Sequence, residues 1–120
     1  MFEVCVEHTF AAGHALRNYR GKCENVHGHN YRVQVAVAGP ELDENGLLYD
    51  FAELKKRLRQ TSEYLDHQFI NDLEPFTTLN PSAENIAKFF CEEVQKDLRN
   101  ARVSFVKVWE TETSCATYRP

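Results

Sequence analysis

A chain of 120 residues with 42% hydrophobic and 27% charged residues has the balance of one small globular domain, residues 1–120, with room for a modest core. Its 14 Lys+Arg against 18 Asp+Glu give a net charge of −4, which argues against the clustered basic surface that nucleic-acid binding requires. No apolar run nears the ~20 residues of a membrane span, and the N-terminus lacks the basic-then-apolar order of a signal peptide, so a cytoplasmic location with no membrane partner is expected.

In chain order, residues 2–10 alternate, with Phe2, Val4, Val6, His8 and Phe10 against Glu3, Cys5, Glu7 and Thr9, the pattern of a strand with one apolar side. Ala11-Ala12-Gly13-His14 uses small residues, as close backbone packing around a ligand position requires. Residues 15–26 are polar and read as a long loop, a type that is functional or disordered in a domain this small. Residues 29–38 alternate again, Gly39-Pro40 stops them, Asp43–Gly46 is a turn, and Leu47-Leu48-Tyr49 resumes extended structure.

Asp50 is a good N-cap for a helix of about a dozen residues, with Phe51, Leu54, Leu58 and Leu65 inward and Lys55, Lys56, Arg57 and Arg59 in solvent. Ser82 caps a second helix over 83–98, with Ile86, Phe89, Phe90, Val94 and Leu98 as its buried stripe. Residues 102–110 form a third strand, placing Val103, Phe105, Lys107 and Trp109 opposite Ser104, Val106, Val108 and Glu110. A hairpin through Thr111–Ser114 returns into Cys115–Tyr118. The order strand, strand, helix, helix, strand, strand gives an α+β fold, an antiparallel four-stranded sheet with two helices on one face. The uncovered face is expected to carry residues such as His8, Val33 and Glu110, and such a face with free edges invites assembly into a homo-oligomer.

The chemistry concentrates in Cys23-Glu24-Asn25-Val26-His27-Gly28-His29. Histidines at i and i+2 of an extended segment share a face. His14, at the end of the preceding strand, can join them, and Gly28 keeps the backbone small between ligands. Three neutral imidazoles with an open fourth position describe a catalytic zinc site, although copper or nickel could compete on affinity. Cys23 is read as base or nucleophile, since a thiolate beside a cation has a lowered pKa; as a fourth zinc ligand it would instead close the site. Cys5, Cys91 and Cys115 are scattered packing residues on this reading, and His8 is a core or inter-strand histidine.

Asp66-His67 follows the first helix. A carboxylate can fix the tautomer of a histidine and raise its basicity for proton transfer, or the histidine simply ends a helix favourably. Glu110 stands at the polar tip of an apolar strand, where a carboxylate can take two parallel N–H groups from an amino-heterocycle or simply be solvated.

Together Phe10–His14, Cys23–His29, Gly46–Phe51, Leu65-Asp66-His67, Asn80-Pro-Ser-Ala-Glu-Asn85 and Trp109-Glu110-Thr111 resemble the 6-pyruvoyl-tetrahydropterin synthase family from residue 2 to about 119. The small size and the Cys-x-x-x-His-Gly-His form are similar to the bacterial branch that makes 6-carboxy-tetrahydropterin for queuosine. The resemblance implies the tunnelling fold, in which subunits join sheets into a barrel and trimers pair into a hexamer with sites between subunits. It implies His14, His27 and His29 as Zn2+ ligands, Cys23, Asp66 and His67 as the catalytic group, and Glu110 as the anchor of the pterin ring. The implied reaction is a lyase step on 7,8-dihydroneopterin triphosphate that releases triphosphate and acetaldehyde.

Glu24 leaves a second branch open, because the Cys-Glu-x-x-His-Gly-His form also resembles members that yield 6-hydroxymethyl-7,8-dihydropterin for folate. Lys22, Arg17 and Arg119 are candidate triphosphate contacts by charge alone. Outside the family, three histidines permit a zinc hydratase or hydrolase, or an assembly protein with structural zinc.

Overall fold

The computed structural model describes residues 1–18 and 25–120, so Cys23, Glu24 and Lys22 lie outside the described residues. Two 13-residue strands, β1 (Phe2–His14) and β2 (His27–Gly39), form an antiparallel pair that runs from Phe2↔Gly39 to His14↔His27. Helices α1 (Phe51–Leu65) and α2 (Ala83–Gln95) follow, then β3 (Arg102–Thr111) and β4 (Ser114–Tyr118). The sheet order is β1-β2-β3-β4, with every neighbour antiparallel.

Both helices cover one face. Val6, Phe10, Tyr31, Val33, Val35, Val37, Val106 and Val108 meet Leu54, Leu58, Leu65, Ile86, Phe90 and Val94 in one core. The caps form where the sequence places them: Asp50 accepts from Ala52 N at 2.8 Å, and Ser82 Oγ accepts from Asn85 N at 3.2 Å. Each bond satisfies a helix N–H that has no partner within the helix.

Several expectations need correction. Leu47-Leu48-Tyr49 is not a strand; it bends after a turn in which Gly46 N donates to Asp43 O, with Gly46 at φ 80°. Phe51, the first residue of α1, is 54% exposed although it sits at a helical spacing from Leu54. α2 stops at Gln95, so Leu98 packs from outside the helix.

Strict alternation also fails on β3. Ala36 pairs with Phe105 but Val37 pairs with Val103, so the bulge puts Val103 on the core side together with Val106 and Val108. His8, Val33 and Glu110 belong to the helix-covered face and not to the open one: Val33 is fully buried, and His8 is half-buried in phase with Val6 and Phe10. The open face carries instead a Glu7–Arg32 ion pair at 3.2 Å, with Arg32 stacked 3.7 Å over Trp109 and Lys107 near Phe105 and Trp109.

Cys91 is packed, and burial pushes its thiol up, as suits an inert cysteine. Cys5 and Cys115 are exposed free thiols rather than packing residues.

Candidate metal centre and active site

The register that pairs β1 with β2 builds the centre. His14 stands opposite His27 and Ala12 opposite His29, so the period-two rule puts all three imidazoles on the helix side at one end of the sheet. β3 supplies the fourth group through a second bulge. Trp109 pairs with Cys115 and Thr111 with Ser114, which leaves Glu110 unpaired and aimed along the face of Val108. The donor atoms of His14, His27, His29 and Glu110 all lie within 4.8 Å of one another. Neither Gly13 nor Gly28 is forced by this closeness, since an added Cβ would make only ordinary contacts at 3.5 and 3.7 Å within the chain.

The imidazoles are oriented from behind. His14 Nδ1 donates to the Pro81 carbonyl at 2.7 Å, and His27 Nδ1 to the Asn25 carbonyl at 2.7 Å. A carbonyl only accepts, so each Nδ1 carries the proton and each neutral ring presents an Nε2 lone pair. Those two Nε2 atoms face each other at 3.0 Å. Glu110 Oε1 lies 3.0 Å from His14 Nε2 and 2.8 Å from His29 Nε2, yet the His29 contact lacks hydrogen-bond alignment and leaves that buried nitrogen without a partner.

A proton on His14 Nε2 could serve one of these neighbours and would leave His29 orphaned; one cation among the four donors serves all. The residues therefore fit a metal ion. Desolvation lowers the pKa of His29 and keeps the ring neutral for ligation, while the His14 imidazole beside it holds the Glu110 carboxyl below its usual range.

Asp66 and His67 form the expected pair, with Nδ1 to Oδ1 at 3.0 Å. Among the described residues no hydrogen bond links them to the imidazoles, although His67 and His29 line one groove. Asp66 Oδ1 accepts from Ala11 N at 3.0 Å, and His67 N donates to Ala11 O at 2.6 Å, so the pair is docked on the outer edge of β1. His67 takes a left-handed φ of 57°, its side chain is 82% exposed, and it borders a shallow groove of ≈450 Å³ that His29 also lines, with Ala11, Gly13, Gly28 and Gln68. The Ala11 N–H, then His67, holds the Asp66 carboxyl below its ordinary value.

A second hollow of ≈450 Å³ adjoins the centre. Glu110 lines it with Ala83, Glu84, Ser114, Cys115, Ala116 and Thr117. Sequence reading missed Glu84, which looks like any acidic residue in a first helical turn and gains meaning only when α2 is laid against β4. A larger hollow of ≈600 Å³ lies at the far end, around Gly39, Leu98 and Arg102, and holds none of the site residues.

Two of the triphosphate candidates are otherwise engaged. The Arg17 guanidinium donates to the carbonyls of Phe76 at 2.7 Å, Leu79 at 3.2 Å and Asn71 at 3.4 Å. Arg119 sits 5.2 Å over Phe105.

Comparison with known proteins agrees with this geometry. Residues 3–120 match the family model described as 6-pyruvoyl tetrahydropterin synthase. The 6-carboxy-5,6,7,8-tetrahydropterin synthase of Bacillus subtilis is 37% identical over 99% of this chain and 86% of its own. The protein of the same name from Haemophilus influenzae is 30% identical over 99% of each chain. The structure of Caenorhabditis elegans 6-pyruvoyl tetrahydropterin synthase superposes with a TM-score of 0.86 at 31% identity, covering 100% of this chain and 97% of that one. A four-stranded sheet backed by two helices, a cluster able to hold a metal at its end, and full-length relatives at these identities agree: this chain belongs to the 6-pyruvoyl tetrahydropterin synthase family.

Proposed function

We propose that the chain is a zinc-dependent lyase of the 6-carboxytetrahydropterin synthase type. It would convert 7,8-dihydroneopterin triphosphate to 6-carboxy-5,6,7,8-tetrahydropterin with release of acetaldehyde and triphosphate. The observation that carries the reading is the trio of Nε2 atoms converging beside a hollow that two carboxylates line. His14, His27 and His29 would hold the zinc, which supplies Lewis acidity toward the side-chain oxygens of the substrate.

Each of the chain's own groups then has a task. Glu110, with Glu84 across the same hollow, accepts the paired N–H groups of the aminopterin edge. Cys23 takes a proton from the side-chain carbon, and His67, oriented by Asp66, moves protons to and from the hydroxyls. Because Asp66–His67 faces outward at a sheet edge, the pair serves a site in a neighbouring copy. That fits assembly of the sheets into a barrel, three copies to a ring and two rings to a hexamer, in the cytoplasm.

Incubation of zinc-loaded protein with 7,8-dihydroneopterin triphosphate under anaerobic conditions tests the reading, with products identified by mass spectrometry. 6-Carboxy-tetrahydropterin with acetaldehyde is expected, and Cys23→Ala abolishes it. 6-Hydroxymethyl-dihydropterin, retained in Cys23→Ala, would move the assignment to the folate branch through Glu24. No pterin turnover from a protein with zinc on its histidines would point to a hydratase or hydrolase.

A second reading has one observation in its favour. Glu110 Oε1 lies close enough to the imidazoles to close the site as a fourth ligand, which would make the metal structural. Unfolding on chelation would support it, whereas a catalytic site loses activity first and keeps its fold.

A further inference from the structure

The segment Asn80–Asn85 carries part of the family resemblance and lies directly behind the metal centre, where the Pro81 carbonyl meets His14 Nδ1. Along the outer edge of β1 and its continuation, every second residue is bonded to residues 66–80. Ala11 is held by Asp66 and His67, and Gly13 N donates to Gln68 O at 3.0 Å. Beyond the strand, side-chain amides take over. Asn71 accepts from Ala15 N at 2.9 Å and donates to Ala15 O at 2.8 Å. Asn80 accepts from Arg17 N at 2.7 Å and donates to Arg17 O at 3.0 Å. A carboxamide carries one acceptor and one donor group, so each asparagine pairs with the backbone as a strand residue would.

The last tooth of this zipper adjoins the carbonyl that orients His14. Asn80 is held on both sides, by Arg17 through its amide and by Asn85 Nδ2 through its carbonyl at 2.9 Å. Pro81 follows with a fixed φ and no N–H, so pinning residue 80 sets where the Pro81 unit, and with it the carbonyl, sits against His14. That carbonyl takes the His14 Nδ1 proton, and His14 is 1% exposed.

We infer that Asn80 is a positioning residue for the metal: by clamping Arg17 it fixes the Pro81 carbonyl, and through it the Nε2 of His14. This rests on the metal reading above. Outer partners of ligating histidines change metal affinity by about 10–100-fold when lost.

The test compares wild type, Asn80→Ala and Asn80→Asp in two readouts. The first is the NMR resonance of the hydrogen-bonded His14 Nδ1–H in metal-free protein. The second is zinc affinity by competition with a chelator. Asn80→Ala should lose or broaden that resonance and bind zinc at least ~10-fold more weakly. Asn80→Asp keeps the acceptor for Arg17 N and should show the same change to a lesser degree, which covers the case in which the alanine variant fails to fold.

Tyr64→Phe is the control. It removes a hydroxyl bond to the Glu74 carbonyl in the same segment, so it should lower Tm without moving either readout. Unchanged resonance and unchanged zinc affinity in folded Asn80 variants would overturn the inference. A wild type that binds no zinc but shows the resonance, lost in Asn80→Ala, would refute the metal reading and keep the positioning role.

Discussion

At the scale of single residues, the decisive feature is two imidazole nitrogens facing each other at 3.0 Å with both rings already donating from the opposite nitrogen. Replacing His29 by Ala removes the third donor and should lower zinc affinity by more than the roughly 10–100-fold expected for an outer partner, measured by chelator competition. Protons compete for the same lone pairs. Burial keeps His29 neutral to below its ordinary value of 6.5, so zinc affinity should hold near neutral pH and fall only after pH has dropped below that ordinary value.

His67 is the other informative residue, because its left-handed φ of 57° costs a non-glycine side chain about 1 kcal/mol. His67→Gly should therefore melt no lower than His67→Ala, while both lose turnover. A glycine variant that melts clearly below the alanine one would show that the backbone there is not strained.

At the scale of elements, the caps and the docked segment 66–80 give separable contributions. Ser82→Ala removes the hydroxyl that accepts from Asn85 N and should cost about 1 kcal/mol, read as a Tm drop of a few degrees. Asp66 ties α1 to β1, and its carboxyl titrates below the ordinary 3.8 when folded. The unfolded chain then binds more protons, so this contribution is present above that ordinary value and is lost as pH falls through the folded one. Acid unfolding of Asp66→Asn should lack that part of the loss below about pH 4.

The elements also show what was legible beforehand. The His-x-His pair, His14, the caps at Asp50 and Ser82 and the two amphipathic helices all leave local or periodic signals, and each lies where the sequence indicates. The bulges at Ser104 and Glu110, the exposure of Phe51 and the amide zipper of Asn71 and Asn80 leave none. They depend on partners 56 and 63 residues away in the chain or on which strand residue is left unpaired, and period-two reading assumes that none is.

At the scale of the whole molecule, the candidate site residues spread from the helix side of the sheet to the edge of β1. The imidazoles and the hollow of Glu84 and Glu110 face the helix side, while Asp66–His67 is exposed at the edge of β1. Among the described residues, the outer edge of β1 over residues 2–10 and the outer edge of β4 have no backbone partner, which suits joining to further copies. If one copy completes the site of another, mixing inactive His29→Ala with inactive His67→Ala chains and allowing subunits to exchange should restore a fraction of turnover. Homogeneous samples of either variant should have none, and no recovery in assemblies shown by native mass spectrometry to be mixed would contradict the shared site.

The measurement that bears most directly on the account is X-ray absorption of the zinc-loaded protein at one metal per chain. The account predicts a first shell of nitrogen and oxygen at about 2.0–2.1 Å, fitted with three imidazoles, and no sulfur. A sulfur scatterer at about 2.3 Å would put Cys23 on the metal and remove it from the chemistry, and failure to bind zinc at all would contradict the centre itself.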